Sequence, residues 1–106
     1  MSGYTIEWAS IRLAKGKTEA DLLTASNTFQ SEFLDRQPGF VRRELLRLQN
    51  GDYADVVHWR SPEDAAAIME KAAGSQACQT YFAVMKMDSD DPAEGVEHHH
   101  SLAVYG

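Results

Sequence analysis

The chain has very little cysteine: Cys78 is the single thiol among 106 residues. One thiol cannot close an intrachain disulfide, so the fold must rest on its apolar core, and a reducing, cytoplasmic setting is expected. Cys78 lies in an apolar helical stretch with no Lys or Arg within five residues on either side. It therefore reads as a buried packing residue and not as a reactive thiol. Long apolar runs are missing as well, and none approaches the roughly 20 residues that a membrane span needs. Near the N-terminus Glu7, Ser10 and Arg12 interrupt what a secretory signal would require as an unbroken apolar stretch. Neither a membrane partner nor export is expected. Positive charge is scarce: Lys and Arg total 10 against 16 Asp and Glu, a net charge of −6. Such a chain repels a phosphate backbone, and Arg42, Arg43 and Arg47 alternate with apolar residues along a predicted strand instead of forming a basic stripe. No nucleic-acid partner is expected.

What is present is an ordinary globular composition, 43% hydrophobic and 25% charged. At this length that predicts a single domain over residues 1–106. Residues 4–13 are rich in β-branched and aromatic types and read as a first strand, with Ile6 and Trp8 on one face and Ala9, Ile11 and Leu13 on the other. After the Lys15-Gly16-Lys17 turn, Thr18 followed by Asp21 predicts a capped helix start. Leu22, Ser26, Phe29 and Phe33, joined by Leu23 and Leu34, give residues 19–36 one apolar stripe, which Pro38-Gly39 ends. Phe40 to Leu48 predicts a second strand, with Phe40, Leu46 and Leu48 opposite Val41 and Leu45. Asn50-Gly51 suits a type I′ hairpin turn, and Tyr53 to Trp59 returns antiparallel.

Ser61-Pro62-Glu63-Asp64 has the cap, proline and acids of a helix start. That helix covers about residues 62–73, breaks at Gly74-Ser75 and resumes through Ala77, Cys78, Tyr81, Phe82 and Met85. Residues 86–95 read as a solvated acidic loop, because Asp88, Asp90 and Asp91 lack the central glycine and terminal glutamate of a calcium loop. Val96 to Tyr105 alternates as a fourth strand, with Val96, His98, His100, Leu102 and Val104 on one face.

The order β-α-β-β-α-β predicts an α+β, ferredoxin-like fold, a four-stranded antiparallel sheet with both helical segments on one face. The other face would be bare, yet several strands carry apolar residues on both sides. A second copy of the same sheet is the simplest cover, so a homodimer is expected.

Three features resemble the dimeric α/β barrel superfamily, in particular its antibiotic biosynthesis monooxygenase branch. They are the Lys15-Gly16-Lys17 turn, Gln37-Pro38-Gly39-Phe40 before strand two, and the run Val56-Val57-His58-Trp59-Arg60-Ser61-Pro62-Glu63-Asp64-Ala65. The resemblance covers nearly the whole chain. It implies a dimeric α/β barrel and a family whose members include cofactor-free oxygenases of quinol-type compounds, haem-degrading enzymes and proteins without an assigned activity. Many members carry a histidine in helix two, where this chain has Ala65 to Glu70, and the haem-degrading branch uses a strand-one asparagine that is missing here.

An oxygenase of this kind needs an apolar pocket, a base to remove a proton from an electron-rich aromatic compound, and hydrogen-bond donors for the anion, with no cofactor. Histidine titrates nearest neutrality, which makes His58, His98 and His100 the candidate bases. Trp8, Trp59 and Tyr81 are the candidates for stacking and hydrogen bonding to a small apolar or aromatic ligand. Strand periodicity sends His58 and Trp59 to opposite faces, so they cannot share a pocket. His98 and His100 share a face about 7 Å apart, but no third ligand stands at a metal-binding spacing, and no metal is expected. The leading expectation is a cofactor-independent monooxygenase of a small aromatic or quinone-like compound. The alternatives are a non-catalytic dimeric binding or assembly module, and haem binding or degradation. A purely aliphatic pocket would favour the module, and a histidine or tyrosine at its wall would favour the enzyme.

Overall fold

The computed structural model describes residues 3–87 and 95–106, so most of the acidic stretch weighed above as a calcium loop lies outside the described residues. Strand β1 (Thr5–Ile11) is followed by helix α1 (Glu19–Glu32) and a short 3-10 turn (Leu34–Arg36). Then come β2 (Phe40–Arg47), β3 (Tyr53–Trp59), α2 (Pro62–Ala72), α3 (Gln76–Ala83) and β4 (Val96–His100). The strands form one antiparallel sheet in the order β2-β3-β1-β4, the α+β, ferredoxin-like arrangement that the sequence predicts.

Local chemistry explains where each helix begins. At α1 the Asp21 N–H donates to Thr18 Oγ1 at 3.2 Å, while the Thr18 N–H donates to Asp21 Oδ2 at 2.9 Å. This capping box satisfies two donors that would otherwise be orphaned. Ser61 caps α2 in the same way, accepting from the Asp64 N–H at 3.1 Å with Pro62 in the first turn. Ser75 caps α3 through the Cys78 N–H at 3.2 Å, which is why the chain breaks at Gly74-Ser75 and starts a new helix.

The glycine of the Gln-Pro-Gly-Phe motif has a separate task. Gly39 has φ +79°, and a Cβ placed there would lie well inside the contact distance of the Asp64 side chain. Its carbonyl accepts from the Arg60 N–H at 2.8 Å. The two motifs, distant in sequence, therefore pack as one corner.

Several boundaries differ from the sequence-based expectation, each for a physical reason. Strand β1 stops at Ile11, and Leu13 makes only an isolated bridge to Met85. Helix α1 ends at Glu32, not 36, because Phe33 leaves helical geometry at φ −127° and Gln37 must be extended before Pro38. Leu23 is 49% exposed, outside the buried stripe. The hairpin is not type I′: Gly51 has positive φ but Asn50 does not. The Gly51 N–H donates to the Leu48 carbonyl at 3.0 Å and the Asn50 side chain accepts from the Asp52 N–H at 2.9 Å, a type I turn followed by a glycine bulge.

A second bulge in β2 sets Phe40 opposite Trp59 and Arg42 opposite His58, so Val41 is an extra residue. Phe40 and Leu46 consequently lie on different faces, against the simple alternation. Strand β4 ends at His100 instead of Tyr105. Its neighbour β1 begins at Thr5, which pairs with His100, and beyond the Ser101 N–H bond to the Tyr4 carbonyl at 2.8 Å little strand remains to pair with. Leu102, Val104 and Tyr105 are exposed as a result.

Register assigns the faces. Thr5, Glu7, Ala9 and Ile11 of β1, with Tyr53, Asp55, Val57 and Trp59 of β3, look toward the helices. The core there is built on Leu22, Phe29, Trp59, Ile68, Cys78 and Tyr81, all buried. Side chains of the larger apolar types contribute about 1.5–3 kcal/mol each when fully buried. Phe29 stacks on Tyr81 with ring centroids 4.6 Å apart. Cys78 is fully buried, and desolvation pushes its thiol pKa up, in keeping with a packing role. Tyr4, Ile6, Trp8, Leu46, Val56 and His58 occupy the opposite face and are partly buried within the single chain. Among the described residues no helix is long and apolar enough to cross a membrane.

Candidate functional site

Between the helix-facing side of the sheet and helices α2 and α3 lies a partly enclosed pocket of about 80 Å³. At roughly 10–15 Å³ for one water this is room for several waters, and about half of the roughly 150 Å³ that encloses a benzene, so a ring enters only as the wall gives. Its wall is mainly apolar: Trp59 from β3, Ile68 and Met69 from α2, Phe82 from α3, and Met85 and Met87 beyond it. Methionines make such a wall deformable.

Two carboxylates interrupt it, Glu7 and Asp55. Glu7 sits in the middle of β1, between β3 and β4, at a position where strand alternation demands an inward side chain. The Trp59 indole Nε1–H donates to Glu7 Oε1 at 3.1 Å. Burial pushes the Glu7 pKa above the ordinary carboxylate value. The indole hydrogen bond and the neighbouring His98 oppose that shift, while Asp55 adds to it.

At one end of the pocket wall, Asp55 and Tyr81 belong to a closed polar network. Arg43, displaced onto the helix-facing side by the β2 bulge, donates from Nε to Asp55 Oδ1 at 2.9 Å, with both side chains about 6–7% exposed. One guanidinium terminal nitrogen donates to Ser26 Oγ at 2.6 Å and to the Tyr81 hydroxyl at 2.9 Å, and the other to Gln30 Oε1 at 3.2 Å. The Tyr81 hydroxyl donates in turn to Asp55 Oδ2 at 2.6 Å. Phe29 and Tyr81 cover the guanidinium, 5.0 and 5.4 Å from their ring centroids. Burial pushes the Tyr81 hydroxyl pKa far up, and Asp55 pushes it in the same direction. Desolvation also raises Asp55, against the pull of Arg43 and Tyr81 toward the anion. With every strong group paired, this network locks α1 and α3 to the sheet and leaves no free proton acceptor.

The candidates read from sequence divide between two faces. Trp59 and Tyr81 both line the pocket. Trp8 and His58 lie on the opposite side of the sheet, in line with the expectation that His58 and Trp59 cannot share a pocket. His58 is half-buried edge-on to Tyr4, with ring centroids 6.4 Å apart. Its Nδ1 has no partner among the described residues, and burial, then Arg42, push its pKa down while Glu44 opposes them. His98 and His100 share the pocket side of the sheet, opposite Glu7 and Thr5, but both are exposed on the edge strand β4. No group of three or more potential metal ligands occurs among the described residues. Glu7, Arg43 and Asp55 were not candidates from sequence. The alternation that places Ala9 and Ile11 inward also places Glu7 inward, and that is the signal which points to it.

No protein-family model and no curated protein matches the chain by sequence. Solved structures do match it in shape. A Bordetella bronchiseptica protein provisionally named as an antibiotic biosynthesis monooxygenase superposes with a TM-score of 0.70 at 23% identity, covering 97% of this chain and 99% of that one. SnoaB, a cofactor-independent oxygenase from Streptomyces nogalater, gives 0.59 at 18% identity over 100% and 97% of the two chains. A haem-degrading protein from Mycobacterium tuberculosis gives 0.61 at 18% identity over 100% and 99%. At these identities the shared property is the α+β, ferredoxin-like fold alone.

Proposed function

We propose that the pocket binds a small hydroxylated aromatic compound and promotes its oxygenation by dioxygen without flavin or metal. The observation that carries this reading is the setting of Glu7, whose second oxygen is not engaged by the described residues as both Asp55 oxygens are, in a mainly apolar and aromatic wall that includes Trp59 and Tyr81. Such a site holds a ring by its faces and acts on it at one polar point. The bound compound loses a proton and its anion passes one electron to dioxygen. Recombination makes a carbon–oxygen bond, and loss of water leaves a carbonyl. Both oxygen atoms are accounted for, one in the carbonyl and one in water, and all four electrons come from the compound itself. The fold shared with a protein named as a cofactor-independent oxygenase supports the same chemistry.

The binding-module alternative draws support from the absence of histidine in α2, but a tyrosine and a carboxylate at the wall favour catalysis. Haem binding has less support, because none of the histidines lines the pocket. The test is oxygen uptake with 1,5-dihydroxynaphthalene. Accelerated consumption of one dioxygen per molecule, with appearance of the coloured 5-hydroxy-1,4-naphthoquinone, is expected. A rate equal to that of buffer alone, across a panel of hydroxynaphthalenes, refutes the oxygenase reading.

The same reading includes a homodimer, formed by two copies placing their open sheet faces together. Ile6, Trp8, Leu46 and Val56 supply apolar surface on that face. Sedimentation equilibrium is expected to return twice the chain mass, and a single-chain species at micromolar concentration would rule the dimer out.

A further inference from the structure

Glu7 has two carboxyl oxygens with different surroundings. Oε1 receives the Trp59 indole hydrogen bond, and Oε2 accepts none among the described residues. The indole therefore fixes the carboxyl plane and leaves the second oxygen as the acceptor available to whatever enters the pocket. The rest of the lining offers a ligand few competing polar groups, because the Tyr81 hydroxyl and both Asp55 oxygens are already engaged. Across the strand pair from Glu7 stands His98, exposed on β4, so the carboxyl has an ionisable neighbour on the solvent side.

We propose that Glu7 Oε2 is the acceptor for a ligand hydroxyl and the base that takes its proton, so that the pocket selects neutral hydroxyarenes over their ethers and over carboxylates. In the transfer step the ligand O–H bond breaks, an O–H bond forms at Oε2, and the electron pair stays on the ligand oxygen. His98, the register partner of Glu7 on the exposed strand β4, is then the group assigned to hand that proton on to solvent. A carboxylate ligand would meet like charge at Oε2 and an ether would bring no proton, so both leave that acceptor without a partner from the ligand. The catalytic half of this assignment rests on the oxygenase reading above, whereas the selectivity half does not.

The experiment pairs binding with turnover. Anaerobic calorimetry compares 1,5-dihydroxynaphthalene, 1,5-dimethoxynaphthalene and 1-naphthoic acid on the native protein and on Glu7→Gln. The substitution keeps the shape and leaves the indole an oxygen to bond. It thereby turns an amide N–H, a donor, toward the ligand. The native protein is expected to prefer the diol by about tenfold or more, the effect of a hydrogen bond to a charged group, and Glu7→Gln to lose that preference. Oxygen uptake is expected to fall by about 10²–10⁴-fold in Glu7→Gln, the contribution of a positioned base. His98→Gln is expected to lower the rate while leaving affinity unchanged, with recovery on adding imidazole buffer.

Selectivity without oxygen uptake in the native protein would overturn the oxygenase reading and leave Glu7 as the ligand acceptor. Uptake and selectivity both unchanged in Glu7→Gln would overturn the assignment of Glu7 and leave the oxygenase reading standing. Absence of binding to the native protein by any of the three compounds would overturn both. Circular dichroism and urea unfolding of each variant confirm that a loss is not a folding failure.

Discussion

Removing the Tyr81 hydroxyl tests whether the buried network is a closed polar unit. In Tyr81→Phe the ring remains, along with its stacking on Phe29. Arg43 keeps Ser26 Oγ at 2.6 Å and Asp55 Oδ1 at 2.9 Å. What changes is Asp55 Oδ2, which loses the 2.6 Å bond from Tyr81, and the Arg43 terminal nitrogen, which loses its 2.9 Å bond to the Tyr81 hydroxyl. One charged acceptor is then short of one donor in a buried site, a loss of about 1.5–3 kcal/mol. Asp55→Ala is worse because it strands a buried guanidinium, at about 3–5 kcal/mol. Since both substitutions act on one network, Tyr81→Phe and Asp55→Ala should be non-additive by about 0.5–3 kcal/mol. Urea unfolding at one fixed protein concentration measures this, with the midpoint moving and the slope constant. A Tyr81→Phe midpoint equivalent to less than about 0.5 kcal/mol, the scatter of ordinary surface changes, would refute the argument that this hydroxyl is held without water as a substitute.

Four further outcomes are expected. Glu7 has a raised pKa in the folded chain, so its contribution to stability is fully present below the ordinary value of 4.5 and is lost as pH rises through the folded value. Glu7→Gln, which does not titrate, should gain stability over the native protein progressively as pH increases, read from urea midpoints between about pH 4 and about pH 8. Glu19 shows the reverse: the Arg47 guanidinium, bonding both its oxygens at 2.7 Å, holds its pKa down to about 2. Stability from that pair is present above 4.5 and lost as pH falls through about 2. Because the pair is exposed, an NMR titration in molar salt should show most of the depression gone. Gly39→Ala should cost clearly more than Gly16→Ala by urea unfolding. Both residues have positive φ, which disfavours alanine by roughly 1–2 kcal/mol, but only Gly39 is crowded, by Asp64. Ser75→Ala should cost about 1 kcal/mol and loosen α3, seen as faster amide exchange at Cys78.

The strands and helices were legible because their signals are local. Thr18 with Asp21, and Ser61 with Pro62, state their own helix starts, and the alternation in β1 and β3 states which residues face inward. The failures came where pairing partners decide. Nothing near Leu102 reveals that β1 has run out of strand, and nothing near Phe40 reveals the bulge that turns Arg43 inward. At the pocket, residue type singles out Trp59 and Tyr81, and the structure places both at the wall. Residue type points to histidine as a base through its ordinary titration range, whereas burial alone can raise a carboxylate, and which carboxylate is buried depends on the fold. Glu7 was in view only as a break in an apolar run, although its strand phase already placed it beside Ala9 and Ile11.

The fit of Gly39 against Asp64 bears on how this molecule can be recombined. The crossing from the first helix into β2 and the start of α2 are complementary surfaces, one hollowed to receive the other. A chimera that takes the Ser-Pro-Glu-Asp helix start from this chain while taking the turn before β2 from a parent with a larger residue at position 39 would inherit a collision between two individually sound halves. Exchange points between Gly39 and Asp64 are therefore closed to shuffling, whereas a junction in the exposed turn at Gly16, where an added side chain meets nothing within 4 Å, leaves the corner whole.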